Sequence, residues 1–72
     1  MQLISEYRND ERSAEVYYNP TSKRYIAKCY DSLAPNEPLF KHLTDGLRYG
    51  YRTQSQCEDA CEDWVSEVDQ DA

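Results

Sequence analysis

An α+β architecture is expected for this chain: a small antiparallel sheet of three to four strands packed against one C-terminal amphipathic helix. Three features lead there. Cys57, Ala60, Cys61, Trp64, Val65 and Val68 recur at i, i+3, i+4, i+7, i+8 and i+11, which is one apolar stripe at helical period. Upstream, short runs rich in β-branched and aromatic residues alternate with turn signals. Seventy-two residues allow one core, so residues 1–72 are read as a single domain with 69–72 prone to fray.

The first run, residues 2–8 (QLISEYR), alternates Leu3, Ser5 and Tyr7 against Ile4, Glu6 and Arg8. Asn9 to Arg12 reads as a turn, and residues 13–18 (SAEVYY) as a second strand. Asn19-Pro20-Thr21-Ser22 is the clearest turn, with proline at its second position, and residues 23–30 (KRYIAKCY) supply a third strand. Short connections order these three as a meander. Residues 31–38 carry two prolines and little periodicity. Asn36 is placed to cap a short helix over 37–44 that Gly46 would end, and residues 47–52 (LRYGYR) would form a fourth strand. The competing arrangement pairs residues 39–43 with 47–52 across an Asp45-Gly46 hairpin. The last helix is expected to start near Ser55, whose capping box with Glu58 competes with one formed by Thr53 and Gln56.

Mean hydropathy is −0.99. Apolar aliphatics are few, so the seven tyrosines and Trp64 are expected to supply much of the buried area. No positive segment followed by an apolar run opens the chain, and no stretch approaches the ~20 apolar residues of a membrane span, so neither a signal peptide nor a membrane anchor is expected. Three cysteines without a secretory signal point to a reduced, cytoplasmic protein.

Charge is unevenly placed. Residues 53–72 hold seven of the fourteen carboxylates and no lysine or arginine, a segment charge of −7. The first fifty-two residues hold the other seven and all eight basic residues, or +1, and the chain totals −6. Glu58, Asp59, Glu62, Asp63 and Glu67 share the helix face left by the apolar stripe. Glu58/Glu62, Asp59/Asp63 and Asp63/Glu67 are like-charge pairs at i,i+4, each destabilising by ~0.2–0.5 kcal/mol. Such a run is either a solvated face or a ridge whose repulsion a basic partner relieves.

Enzyme chemistry has little to draw on. The chain has one histidine, His42, and no nucleophile-plus-base pattern, Gly-rich phosphate loop or HExxH helix. No enzyme activity and no cofactor are expected. Cys29, His42, Cys57 and Cys61 could compose a Cys3His zinc site, but Cys57 and Cys61 lie in the stripe that must be core, and small buried thiols are common there. No metal is expected.

Two resemblances attach to these residues. VYYN (16–19), a turn, CY (29–30) and YRTQSQCEDAC (51–61) together resemble the hairpin-then-helix half of a Kunitz inhibitor domain. That family needs six half-cystines where this chain has three, and only Cys57 and Cys61 map onto its pattern, so no inhibitory residue carries over. A three-stranded sheet followed by a helix is similar to AP2-type and integrase arm-binding domains, which imply DNA reading by a basic sheet face. Arg8, Arg12, Lys23, Arg24, Lys28, Arg48 and Arg52 lie on or beside the expected strands, while the net charge opposes phosphate binding.

The leading expectation is a small acidic, non-enzymatic interaction protein that binds a basic surface of another protein, such as a nucleic-acid-binding protein. In size and charge it resembles DNA mimics and phage-encoded inhibitors of the anti-CRISPR type. Glu58, Asp59, Glu62, Asp63 and Glu67 would steer the encounter. Tyr17, Tyr30, Tyr49 and Tyr51 would anchor it, since tyrosine is enriched at binding hot spots. The alternative is a nucleic-acid-binding or regulatory sheet domain with a basic strand face. A third is an assembly subunit whose apolar faces meet another copy. No membrane partner is expected.

Overall fold

The computed structural model describes residues 1–66. Four strands, β1 (Gln2–Arg8), β2 (Arg12–Asn19), β3 (Arg24–Asp31) and β4 (Ala34–Phe40), pair antiparallel in the order β1-β2-β3-β4. A single turn of helix, α1 (Lys41–Thr44), follows, and α2 (Gln54–Ser66) packs across the sheet. The fold is α+β, as the periodicities predict.

Each hairpin begins with the same chemistry. Asn9 Oδ1 accepts from the backbone N–H of Glu11 at 2.8 Å and of Arg12 at 2.7 Å. Asn19 Oδ1 accepts from Thr21 N–H at 3.0 Å, and Asp31 Oδ1 from Leu33 N–H at 2.9 Å. Short Asx side chains close the turn from within, which fixes the register of all three strand pairs. In the second hairpin Lys23 adopts φ 59, a left-handed conformation, and its N–H reaches the Asn19 carbonyl at 2.8 Å.

The fourth strand lies where the sequence shows no alternation. Residues 34–40, and not 47–52, pair with β3: Lys28 with Phe40, Cys29 with Leu39 and Asp31 with Ala34, with an irregularity between Cys29 and Asp31. Pro35 and Pro38 are tolerated because β4 is an edge strand and neither residue has a partner in its ladder with β3. The helix expected over 37–44 contracts to Lys41–Thr44. From 47–52 only Tyr51 pairs with the sheet among the described residues, through an isolated bridge to Tyr25.

The core is built from small side chains: Ala14, Val16, Ala27 and Cys29 from the sheet, Cys57, Ala60 and Cys61 from α2, and Tyr51. Small residues on both surfaces bring helix and sheet close together. The tyrosines therefore contribute less to the core than composition suggests: Tyr7 and Tyr25 pack at its margin and only Tyr51 is buried within it. Trp64 and Val65 are half-buried there as well, and Val68 lies outside the described residues.

The N-terminus of α2 uses the earlier of the two competing caps. Thr53 Oγ1 accepts from Gln56 N–H at 3.2 Å, and the Thr53 carbonyl accepts from Cys57 N–H at 3.3 Å. Glu58 is thereby released from capping and turns toward the sheet edge. Among the described residues no helix is long and apolar enough to cross a membrane.

Candidate protein-docking surface

The acidic residues of α2 divide by what they touch. Glu58 is partly covered; its Oε2 accepts from Ser5 Oγ of β1 at 3.3 Å and from Gln54 Nε2 at 3.0 Å. Asp59, Glu62 and Asp63 are exposed. Glu58 and Glu62 flank β1: the Tyr7 hydroxyl is held above its ordinary pKa first by burial, then by these two carboxylates. On the other flank Asp59 and Asp63 border an open cleft of about 390 Å³ that includes Lys41, Asp45, Leu47 and Gln56. Glu67 lies outside the described residues.

None of Glu58, Asp59, Glu62 and Asp63 is ion-paired among the described residues. The ion pairs there lie elsewhere, between Arg12 and Asp31 at 3.3 Å and between Lys41 and Asp45 at 3.6 Å. The i,i+4 repulsion along the helix is uncompensated by its own residues and is carried by the packing of the apolar stripe.

The four tyrosines nominated as anchors do not gather around this helix. Ladder partners share a face, so Tyr17, opposite Ile26, and Tyr30, opposite Ser13, lie on the side of the sheet away from α2. Tyr17 donates to Glu15 Oε1 at 3.0 Å beneath the Lys28 ammonium, 5.4 Å from its ring centroid. That hydrogen bond, then burial, raises the Tyr17 hydroxyl pKa. Tyr30 lines an open cleft of about 500 Å³ with Arg8, Glu11, Glu15 and Pro35, while its carbonyl accepts from Trp64 Nε1 at 3.1 Å. Tyr49, 60% exposed, presents its ring in the loop before α2 beside Arg48. Tyr51 is 6% exposed and hydrogen-bonds Asp45. Burial, then that bond, drives its hydroxyl pKa far upward. A buried Tyr51 offers no surface to a partner; its alternation with Tyr49 conceals which of the two the core claims.

The thiols and the histidine occupy the interior. Cys29, Cys57 and Cys61 are all free and fully buried. Hydrogen bonding with Cys61, then burial, pushes the Cys29 thiol strongly upward. Cys61 gains some acidity from Cys29, yet bonding with Cys57 and burial push it up to about 12. Among the described residues no group of three or more His, Cys, Asp or Glu side chains is placed to hold a metal ion. His42 is 5% exposed, wedged edge-on against the rings of Phe40 and Tyr51, and its Nδ1 has no hydrogen-bond partner among the described residues. Burial lowers its pKa.

Sequence reasoning missed Ser5 and Tyr7, the residues through which β1 meets the helix carboxylates. No local signal marks them, because the contact spans fifty-three residues of chain. The chain matches no protein-family model, no curated protein and no solved structure.

Proposed function

We propose that this protein is a small acidic, non-enzymatic interaction module that binds a basic surface of another protein, acting as an inhibitor or regulator of the DNA-mimic or phage anti-defence (anti-CRISPR-like) type. The observation that carries this reading is the unpaired ridge: four carboxylates within two turns of α2, none matched by a basic side chain among the described residues. A cationic partner would relieve their repulsion and be steered by their field. The fitting partners are proteins with nucleic-acid-binding surfaces, in a cytoplasmic setting consistent with three free thiols.

The alternative, a basic sheet face that binds nucleic acid, has weaker support. Glu6 and Glu15 stand directly opposite each other in the ladder, and Glu15 is opposite Lys28, so acidic groups interrupt the open face. Arg12 is turned to the other side, against Asp31 and Trp64.

Charge reversal tests the reading. Asp59, Glu62 and Asp63 are the residues to change to lysine together, sparing Glu58 because it hydrogen-bonds Ser5. Capture of a partner from lysate should be strong for the wild type, weaken as salt shortens the Debye length below ~10 Å, and disappear for the variant. Unchanged capture by the reversed variant, or tight wild-type binding of duplex DNA at physiological salt, would overturn it.

A further inference from the structure

The two edges of the sheet are not equivalent. β1 and β4 are both terminal in the strand order. β4 carries Pro35 and Pro38, which blunt it as a template for pairing. β1 has no proline, and its bulge falls between Leu3 and Ser5, so Ser5–Arg8 runs in regular register with β2. Among the described residues no strand lies beside the outer backbone groups of this segment.

Helix α2 follows the same segment. Ser5 Oγ donates to Glu58, Tyr7 lies within the field of Glu58 and Glu62, and Asn9 Nδ2 donates to the Val65 carbonyl. Successive steps along the strand therefore match successive turns of the helix. Carboxylates at i,i+4 are spaced ~6 Å along a helix axis, and alternate residues of a strand ~6.8 Å apart. A strand laid beside β1 would aim every second side chain toward the helix side, at nearly the spacing of Glu58 and Glu62.

We propose that Ser5–Arg8 is a docking edge for an extended basic segment of the partner protein, which adds as a fifth strand and sets two cationic side chains, two residues apart, against Glu58 and Glu62. This rests on the acidic-ridge reading and narrows it from a charged surface to a strand-addition site. Backbone hydrogen bonds supply affinity, and the alternate cations supply selection.

The probe is a short acetylated, amidated peptide of alternating lysine and valine, titrated into the 15N-labelled protein. Amide shifts should concentrate in Ser5–Arg8 and Glu58–Glu62. Methylating the backbone nitrogens along one edge of the peptide should weaken binding by about tenfold or more, because it removes the ladder bonds and leaves the charge. Glu58→Gln with Glu62→Gln, which keeps side-chain shape, should weaken it by about tenfold with an unchanged circular dichroism spectrum. Equal binding of the methylated peptide, or shifts confined to α2, would overturn strand addition while leaving the ridge reading intact. Shifts centred on Ile26 and Phe40 would overturn it as well. A peptide-independent dimer in sedimentation, with Ser5–Arg8 protected from exchange, would overturn it in favour of self-pairing. The ridge reading fails separately, through unchanged partner capture by the Asp59, Glu62 and Asp63 reversal.

Discussion

Arg12 lies over the face of Trp64, its guanidinium carbon 4.0 Å from the ring centroid, while its Nη1 donates to the Trp64 carbonyl at 3.1 Å. The same guanidinium pairs with Asp31 at 3.3 Å. One side chain from the start of β2 thus joins the last turn of α2 to the end of β3. Arg12→Ala should cost about 1–2 kcal/mol in urea unfolding, summing a partly shielded cation–π contact, a carbonyl bond and a half-exposed ion pair. Trp64 emission should move to longer wavelength. Arg12→Lys should recover under half of the loss, because an ammonium cannot stack and fork together. Full recovery would show that charge alone matters.

Trp64 itself is half-buried, so Trp64→Ala should cost about 2–3 kcal/mol, below the ~3–5 kcal/mol of a fully buried ring. Trp64→Phe retains the packing but leaves the Tyr30 carbonyl without its donor, for about 1 kcal/mol. Denaturant midpoints for the two variants check the ranking.

The thiols make a chemical prediction. Cys29, Cys57 and Cys61 are buried, and two of them are held well above the ordinary thiol pKa. An exposed-thiol reagent should label none of the three in native buffer and all three in denaturant. A chelator should leave the melting temperature unchanged. Rapid native labelling, or tightly held zinc by elemental analysis, would contradict this core.

His42 predicts a direction with pH. Burial lowers its folded-state pKa below the ordinary 6.5. The unfolded chain therefore takes up a proton first as pH falls. Its contribution is fully present above 6.5, declines as pH drops through that value toward the folded-state pKa, and levels off below it. Melting temperature should fall between about pH 7.5 and 5, and His42→Leu should flatten that part of the curve. An unaltered slope would place the titration elsewhere.

The two glycines should separate cleanly. Gly50 has φ +114, and a Cβ there would meet the Tyr25 carbonyl oxygen at 2.6 Å, backbone that cannot step aside. Gly46 has φ +81, and a Cβ there would meet nothing within 4 Å among the described residues. Gly50→Ala should cost about 3 kcal/mol or more by combining strain with overlap, and Gly46→Ala about 1 kcal/mol from strain alone. Calorimetry of the pair would decide it.

What could be read in advance follows from range. Strands β1 to β3 and α2 declare themselves through local period and turn residues such as Asn19-Pro20, and the structure forms them within a residue or two of the expected limits. β4 is invisible locally because its pairing is confined to its ends and two prolines fill the middle. Residues 47–52 look like a strand by composition, yet only Tyr51 pairs with the sheet among the described residues, since β4 already occupies the length of β3 that a longer strand would need. The acidic face of α2 was legible from spacing. The scatter of the tyrosines was not: Tyr17 and Tyr30 take the sheet face away from α2, while Tyr49 and Tyr51 lie outside the strands, where distant contacts decide which of them is buried.

Pro35 and Pro38 have a consequence for stoichiometry. A sheet with two open borders can be extended from both and so grow without limit, as fibres do. Here one border is blunted by two imino acids and the other is usable over only the few residues beyond its bulge. Copies of this chain adding strand to strand would therefore stop at a pair joined through β1, because each copy offers one usable border. The two prolines of β4 thereby set the limit on such growth.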